Sequence, residues 1–325
     1  MDIYLGVDGG ASKTFALAAD ATGRMIGFGQ GGCANHQLYG REAALREIGT
    51  ACRAALGGHT AAFASFCLAG ADLPPDFTLL RPALQSLGVA AAFDLRNDTW
   101  AAMRAGTTQP SGAVVICGSG LNAAVRAPDR REFILPNLGW ISGDWGGGGD
   151  MSRMALGAVA RAWDGRGPPT VLTERVLHHF GYPSYETLLE ALYTEVLPAR
   201  QVYEIAPLVF AAALEGDAVA QDLIVRTGTE VGHVAGSLLR RMEMQHEPCE
   251  VVAGGSIFKG TGPLLMDAAN LALHRLAPLA YFTRARVEPA VGALLLAFEL
   301  HGQTIGDALL ARLHDTLPER LVNQR

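Results

Sequence analysis

Three glycine-rich turns each follow a short apolar segment of the 325-residue chain, and each could bind an anion through its backbone. They are Gly9-Gly10, Gly118-Ser119-Gly120 and Gly254-Gly255-Ser256. Glycine tolerates positive φ, and because it has no Cβ it lets backbone N–H groups approach an anion. One such turn is typical of a hairpin. Three together predict a cradle for a nucleotide, in which two turns clamp the phosphates and the third lies near the base or ribose.

Two charged residues accompany the first of these turns. Asp8 precedes Gly9, and a carboxylate beside nucleotide phosphates usually serves Mg²⁺, directly or through water. The alternative is an aspartate that only forms the turn. Lys13 follows the turn and could contact a phosphate as a point charge. Its alternative role is that of a solvated strand residue.

A second acid, Asp98, follows Asn97 at the end of another apolar segment. Either residue could cap the short helix predicted after it. Asp98 could also act as a general base, because a hydroxyl that attacks a γ-phosphoryl group must lose its proton to a nearby acceptor. Capping and catalysis are compatible at this position.

The segment 138–150 contains four consecutive glycines, Gly146 to Gly149. Ordering such a run costs much conformational entropy, so packing is not expected to be its reason. The segment is predicted to be a loop that is either mobile or passes close to a ligand, with Asp144 bonding ligand hydroxyls.

The elements that position these residues follow from apolar periodicity and turn residues. Strands are predicted over 3–7, 14–19, 25–28, 63–69, 89–95, 113–117, 122–126, 132–135, 250–253 and 284–288. Helices are predicted over 41–56, 77–87, 99–105, 171–180, 185–196, 205–215, 218–242, 262–276 and 290–301. The strand, glycine turn, strand, turn, strand unit of the first residues recurs roughly 110 residues later, which indicates an internal duplication. Two similar domains with a cleft between them are therefore expected.

Composition narrows the class of protein further. The chain is 49% hydrophobic and 18% charged, with a net charge of −6, so disorder and a nucleic-acid or anionic-membrane partner are disfavoured. The sequence predicts no membrane span and no signal peptide. Its five cysteines are dispersed, which favours a reducing compartment and disfavours zinc or iron–sulfur sites.

These motifs together resemble a known family. The segment from Asp8 to Thr14 resembles the first phosphate motif of the sugar kinase, Hsp70 and actin superfamily, and the chain is more narrowly similar to the BadF/BadG/BcrA/BcrD ATPase family, which includes N-acetylglucosamine and glucosamine kinases. The resemblance is carried further by Ala34-Asn35-His36, Leu68-Ala69-Gly70, Asn97-Asp98, Gly118 to Asn122, Gly143-Asp144, Gly216-Asp217, Gly254-Gly255-Ser256 and Pro289 to Leu296.

The resemblance implies an α/β fold of two ribonuclease H-like (actin-like ATPase) domains with a central cleft. The first would cover residues 1–110, and the second 111–325 with a helical insertion at about 150–245, while a final helix near 290–302 would pack back on the first. The activity implied is ATP- and Mg²⁺-dependent phosphorylation of an amino sugar, N-acetylglucosamine or glucosamine, by a cytoplasmic homodimer.

Site roles follow from the same resemblance, position by position. Asp98 would be the catalytic base, and Asp8 would organise Mg²⁺. The ATP-binding residues would be Gly9, Gly10, Ser12, Lys13, Gly118, Ser119, Gly120, Gly254, Gly255 and Ser256. The sugar-binding residues would be Asn35, His36, Asn97, Asp98, Asn122, Gly143 and Asp144.

The chain departs from the family pattern at three positions. Trp145 stands where a Glu usually follows the Gly-Asp pair, Leu138 stands where a Trp is common, and Ser119 replaces Thr. The first two bear on the identity of the sugar. Two alternative functions are a non-catalytic sugar or nucleotide sensor and an ATPase that activates a dehydratase. The second needs clustered cysteines to hold an iron–sulfur cluster, and the dispersed ones disfavour it.

Overall fold

The computed structural model describes residues 2–321, which divide into two compact units. The first unit contains the chain up to Val114 together with the chain from Thr283 onward, and the second contains Val115–Phe282. Among the described residues, none of the helices combines the length and the apolar character that crossing a membrane would need.

A five-stranded sheet forms the centre of the first unit, with the strand order β3-β2-β1-β4-β5. Its strands are β1 (Ile3–Gly9), β2 (Thr14–Asp20), β3 (Met25–Gly31), β4 (Ala61–Leu68) and β5 (Ala90–Asn97). Strands β1 to β3 form an antiparallel meander, as the turn residues predict. Strands β4 and β5 continue the sheet in parallel with β1, so the carboxyl ends of three strands lie at one edge.

The second five-stranded sheet repeats this order as β8-β7-β6-β9-β10, which confirms the duplication that the sequence indicates. Its strands are β6 (Gly112–Cys117), β7 (Leu121–Arg126), β8 (Glu132–Ile134), β9 (Cys249–Gly254) and β10 (Ala280–Arg284). A mixed α/β architecture with two equivalent sheets is the fold class expected from the sequence.

Helices cover the sheets. In chain order, the α-helices of the described residues are α1 (His36–Tyr39), α2 (Arg41–Leu56), α3 (Pro74–Gln85), α4 (Thr99–Gly106), α5 (Gly147–Trp163), α6 (Leu172–Phe180), α7 (Tyr185–Tyr193), α8 (Ala206–Leu214), α9 (Ala218–Arg241), α10 (Leu264–Leu276), α11 (Pro289–Leu300) and α12 (Asp307–Thr316). Helices α5 to α10 belong to the second unit and the others to the first.

Both faces of the first sheet are buried by helices. Helix α2 presents Ile48, Cys52 and Leu56 to one face, and it ends at Gly57 in a left-handed conformation, as its spacing predicts. Helix α11 covers the other face so closely that a Cβ on Gly6 of β1 would lie 2.1 Å from the Leu294 nitrogen. Glycine is therefore required at this crossing of strand and helix.

One predicted strand is wrong. The sequence predicts a strand over 284–288, but β10 ends at Arg284, and the following residues connect it to α11. Glu288 precedes Pro289, and the residue before a proline is held in an extended conformation, here with φ −60° and ψ 146°. The segment is therefore extended at this residue without continuing the strand. Within this segment Val287 forms a single β-bridge, and the N–H groups of Arg286 and Glu288 donate to the carbonyls of Ala105 and Leu321 at 3.3 and 2.9 Å.

Candidate active site

Asp8 and Asp98 lie at the same edge of the first sheet. In the parallel ladders, Asp8 of β1 is level with Cys67 of β4, and Cys67 is level with Arg96 of β5, two residues before Asp98. The chain leaves β1 at Gly9 and leaves β5 at Asn97. Because the carboxyl ends of parallel strands meet at one edge, two acids 90 positions apart in sequence are brought within electrostatic reach of each other.

The carboxyl group of Asp8 is in an unfavourable place for a negative charge. Burial, and then the nearby carboxylates of Asp98 and Glu288, raise its pKa from 3.8 to about 8, although Lys13 opposes the shift. A cation beside this group would therefore be strongly stabilised. Among the described residues, no three metal-ligating side chains cluster together.

Asp98 occupies the corner between β5 and α4. Burial, and next the charge of Asp72, raise the pKa of Asp98 to about 6, while backbone N–H groups of Thr99 and of Asp98 itself lower it. A carboxylate with a pKa near the working pH is well suited to accept a proton. Asp98 is the N-cap residue of α4 by position, and the side chain of Asn97 before it accepts the Thr99 N–H through Oδ1 at 2.9 Å.

Side-chain amides surround this corner. Asn35 caps α1, with its Oδ1 accepting the Gln37 N–H at 2.9 Å. Gln37 donates in turn to the Gly70 carbonyl at 3.2 Å and to Asp72 Oδ2 at 3.4 Å. A Cβ on Gly70, whose φ is +85°, would lie 2.8 Å from Asn35 Oδ1. Glycine at position 70 therefore lets the turn after β4 approach the asparagine.

His36 is held by the helix that follows the same turn. Its Nε2 lies 3.2 Å from Asp76 Oδ1, and Asp76 Oδ2 accepts the N–H groups of Asp72 and Leu73 at 3.2 and 2.8 Å. These contacts lower the pKa of Asp76. His36 Nδ1 is buried and has no hydrogen-bond partner in the described residues. The structure thus places His36 beside Asn35, with one ring nitrogen already used.

The residues after the first glycine turn are exposed. Ser12 and Lys13 lie on the surface, and Lys13 Nζ is 3.3 Å from Glu288 Oε2 and 4.1 Å from the centre of the Phe15 ring. Gly9 is tightly packed, since a Cβ there would lie 2.6 Å from Leu68 and 2.7 Å from Ala34. Gly10 closes the hairpin by donating to the Lys13 carbonyl at 2.9 Å.

The other two glycine turns lie together in the second unit. Gly255, after β9, packs on the end of β6, and a Cβ there would lie 2.3 Å from the Cys117 carbonyl oxygen. Gly255 has a φ of +102°, whereas Gly9, Gly10, Gly118, Gly120 and Gly254 do not lie in the positive region. The expectation that positive φ explains these glycines is therefore wrong for all but one of them.

Gly118 and Gly120 leave space above their turn. A Cβ on either would meet no atom within 4 Å, so neither conformation nor packing within the protein requires glycine there. The open space leaves room for a ligand next to the backbone, which is the arrangement that phosphate oxygens need. The residues of this turn therefore fit a nucleotide phosphate. Ser256 is exposed after the neighbouring turn, at the start of a short 3₁₀ segment.

The glycine run is a helix start, which corrects the prediction of a loop. Helix α5 begins at Gly147, and its Gly148 and Gly149 N–H groups donate to the Gly118 and Ser119 carbonyls at 2.7 and 2.9 Å. These are helix N-terminal donors that would otherwise lack partners. A Cβ on Gly147 would lie 2.6 Å from the Gly120 carbonyl oxygen. Packing is thus the reason for glycine here, contrary to expectation.

Asp144 precedes this helix and is buried. Its Oδ2 accepts the Leu138 N–H at 3.1 Å and also the Ser142 hydroxyl. Gly143 before it has a φ of +79°. Asn122 is buried at the start of β7, just after the turn, and its Oδ1 accepts the Ala123 N–H at 2.8 Å.

The unusual Trp145 meets a carboxylate from another helix. Burial raises the pKa of Glu230 of α9, and His233 and the neighbouring Trp145 side chain oppose that shift. A carboxyl group therefore lies beside the position at which the family usually carries Glu.

Sequence reasoning missed three acids of these regions. Asp72 and Glu288 act on the candidate residues Asp98 and Asp8 through space, and Glu230 neighbours Trp145. Asp72 alone had a usable signal, because it follows Gly70 at the end of β4, the strand between β1 and β5. Glu288 and Glu230 lie far along the chain from the residues that they contact.

Known proteins are similar to this chain over most of its length. The model of the BadF/BadG/BcrA/BcrD ATPase family matches residues 5–297. An N-acetyl-D-glucosamine kinase of Dictyostelium discoideum is 25% identical over 91% of this chain and 98% of its own length. A glucosamine kinase of Vibrio cholerae is 26% identical over 71% of this chain and 78% of its own.

A solved structure shares the fold. The crystal structure of a candidate N-acetylglucosamine kinase from Chromobacterium violaceum superposes with a TM-score of 0.64, at 22% identity, over 91% of this chain and 99% of that one. At this identity the likeness concerns the fold, which is the two-sheet architecture described above.

Proposed function

The chain belongs to the BadF/BadG/BcrA/BcrD ATPase family, and we propose that it is a kinase that transfers the γ-phosphoryl group of ATP to a hydroxyl of an amino sugar. N-acetylglucosamine and glucosamine are the proposed substrates, since they are the sugars named for the relatives above. The observation that carries the proposal is the pair of acids at one sheet edge, Asp8 and Asp98, with their pKa values raised to about 8 and about 6.

In the proposed reaction Asp98 accepts the proton of the sugar hydroxyl. The hydroxyl oxygen then attacks the γ-phosphorus, the bond from that phosphorus to the bridging oxygen breaks, and ADP leaves with the electron pair of that bond. Asp98 later releases its proton to solvent. Bound Mg²⁺ would neutralise charge on the phosphate oxygens, and Asp8 is the residue proposed to hold it, directly or through water.

The remaining candidate residues bind the two substrates in this proposal. Backbone N–H groups of Ser119 and Gly120 offset charge that develops on the transferred phosphoryl group, while the Gly118 N–H donates within the turn to the Gly120 carbonyl at 2.9 Å. The other nucleotide contacts are assigned to Gly9, Gly10, Ser12, Lys13, Gly254, Gly255 and Ser256. The sugar contacts are assigned to Asn35, His36, Asn97, Asn122, Gly143 and Asp144. His36 Nε2 is paired with Asp76 and its Nδ1 is buried, so a contact from His36 to the sugar requires its ring to turn.

Further parts of the proposal concern the setting of the reaction. We assign Mg²⁺ as the metal, the cytoplasm as the compartment, and a homodimer as the assembly. The compartment is supported by the five cysteines, which are all unpaired in the structure. The homodimer rests on the frequency of such assemblies. A net charge of −6 supports a small-molecule partner over nucleic acid.

A panel of sugars tests the proposal. Purified protein, ATP and Mg²⁺ are combined with N-acetylglucosamine, glucosamine, glucose or mannose, and ADP and phosphorylated sugar are both quantified. We expect equal amounts of the two products with one of the amino sugars, and little ADP without sugar. ADP release without any sugar phosphate would contradict the kinase assignment, and nucleotide binding without turnover would favour a sensor.

A further inference from the structure

Asp72 occupies the centre of the amide network around Asp98, although the proposed reaction gives it no part. Its Oδ1 accepts a hydrogen bond from Asn97 Nδ2 at 2.8 Å, and its Oδ2 accepts a longer one from Gln37 Nε2 at 3.4 Å. Its backbone N–H donates to Asp76 Oδ2 at 3.2 Å. Asp72 therefore contacts the segment of α1, the start of α3 and the end of β5.

The chemistry of this contact fixes the orientation of the Asn97 side chain. An asparagine amide can present either its oxygen or its NH₂ group to a neighbour. An ionised carboxylate only accepts, so Asp72 requires that Asn97 turn its NH₂ group toward it. Asn97 Oδ1 then faces the Thr99 N–H, which it accepts at 2.9 Å. Asn97 is 4% exposed, so water has little access with which to replace a lost bond.

The orientation of Asn97 determines the corner that carries Asp98. Asp98 stands between the last residue of β5 and the first residue of α4, and the hydrogen bond from the Thr99 N–H to Asn97 Oδ1 ties these two ends together. Without this bond, the Thr99 N–H keeps the Asp98 carboxylate as an acceptor, but the turn that carries Asp98 is no longer held from the end of β5. Asp72 also lies near enough to raise the pKa of Asp98, which places the two carboxyl groups in one cluster.

We propose that Asp72 is a positioning residue for phosphoryl transfer, which orients Asn97 and through it holds Asp98 against the sugar hydroxyl. The inference rests on the proposed function. Through Gln37, the same residue connects the Asn35 segment to this corner, so the groups assigned to sugar binding and to proton removal share one support.

Substitution of Asp72 by two residues of similar size tests the idea. Asp72→Leu removes both acceptors, and we expect kcat for sugar phosphorylation to fall about 100-fold, the loss typical of a reacting group displaced by about 1 Å. Asp72→Asn keeps an oxygen for Asn97 but no longer dictates its orientation, so a smaller loss of about tenfold is expected. The KM for ATP should change less than about twofold in both, since Asp72 lies on the sugar side of the proposed site.

The matched control is Asp94→Asn. Asp94 is also a partly buried carboxylate on β5, but it pairs with Arg96 at 2.6 Å and has no contact with the amide network. Its substitution should leave kcat and both KM values at the wild-type level. A loss in Asp94→Asn equal to that in Asp72→Leu would show that any change at this strand lowers activity, and would overturn the inference.

An exchange of the two side chains provides a stricter test. In Asn97→Asp alone, two carboxylates face each other, and kcat should fall. In the double variant Asp72→Asn with Asn97→Asp, the amide at 72 donates to the carboxylate at 97, which can still accept the Thr99 N–H. We expect kcat to recover about tenfold relative to Asn97→Asp. This test remains available if Asp72→Leu fails to fold in a circular dichroism melt.

The outcomes separate this inference from the function on which it rests. If the wild-type protein forms no sugar phosphate, the proposed function is wrong. If the wild-type protein and Asp94→Asn form sugar phosphate at equal rates, the rates of the Asp72 variants show whether Asp72 has the positioning role. Wild-type kcat in Asp72→Leu, or no recovery in the exchanged double variant, would overturn the positioning role.

Discussion

The edge of the first sheet is built from side chains, whereas the paired turns of the second unit are built from backbone. Around Asp98, the side chains of Gln37, Asp72 and Asn97 are joined by hydrogen bonds, and the Asn35 side chain accepts the backbone N–H of Gln37. Around Gly118, the contacts are backbone to backbone, from α5 and from the turn after β9. The same sheet order thus supports two different kinds of surface.

This difference matches the two tasks of a phosphoryl transfer. Removal of a proton needs a side chain with a suitable pKa, which burial and a neighbouring acid provide for Asp98. Holding phosphates needs several N–H groups at fixed positions, which glycine turns provide without any titratable group. Substitutions at the first region should therefore lower the rate of proton removal, and substitutions at the second should weaken nucleotide binding.

The largest effect is expected from Asp98→Asn. The amide cannot accept the hydroxyl proton, so kcat should fall about 10³-fold or more, within the range for loss of a general base. The nucleotide should still bind with nearly wild-type affinity, because its assigned contacts are elsewhere. Steady-state assays measure the first quantity, and calorimetric titration with a non-hydrolysable ATP analogue measures the second. Equal loss of both would remove Asp98 from the proposed role.

The pH dependence should distinguish the side-chain surface from the backbone surface. The pKa of Asp98 is raised from 3.8 to about 6, so the free enzyme holds a proton there below that pH and cannot accept another. The value of kcat/KM for the sugar should therefore fall about tenfold per pH unit below about 6 and level off above it. Binding of ADP to the glycine turns should change much less over the same range. A sugar kcat/KM that is flat from pH 5 to about 8 would contradict a base with this pKa.

A smaller effect is expected from a methyl group on the second turn. Gly118→Ala adds a Cβ into open space, at a φ that alanine tolerates, so the melting temperature should not change. The methyl group would occupy room assigned to a phosphate, and KM for ATP should rise about tenfold.

Gly157→Ala serves as the matched control for this change. Gly157 is exposed in α5, and its added Cβ also meets no atom within 4 Å. It should raise stability by about 1 kcal/mol through helix propensity and leave KM for ATP unchanged. The interpretation of Gly118 fails if Gly118→Ala leaves KM for ATP at the control's value, since the open space would then have no ligand.

The sequence could predict the elements of both regions better than their contacts. The helix Arg41–Leu56 was predicted with its observed ends because apolar spacing and the following glycine act within one segment. The sequence does not predict the start of helix α5, because glycine has a poor helix propensity. The carbonyl acceptors that stabilise this start belong to a turn 30 residues earlier in the chain. Asp72 was missed for a similar reason, since its partner Asn97 is 25 residues away.

The smallest effect concerns the stability of the free protein and Asp8. Its pKa is about 8 in the folded state and 3.8 as the ordinary value, so the folded state binds the extra proton between these limits. Stability should therefore fall as the pH rises from 4 to about 8. Asp8→Asn, which stays neutral, should melt roughly 2–6 °C higher than wild type near pH 8 and at the same temperature near pH 4.

A second carboxylate of the first sheet, Asp94, provides the control for the melting experiment with Asp8→Asn. Asp94→Asn removes a carboxylate that has Arg96 as its partner, so it should not gain stability at the higher pH. Addition of ATP with Mg²⁺ should stabilise wild type more than Asp8→Asn, because the cation relieves a charge that the variant lacks. If Asp8→Asn melts below wild type at every pH, Asp8 is a stabilising turn residue, and the difference between the two regions does not extend to an acid kept for a metal ion.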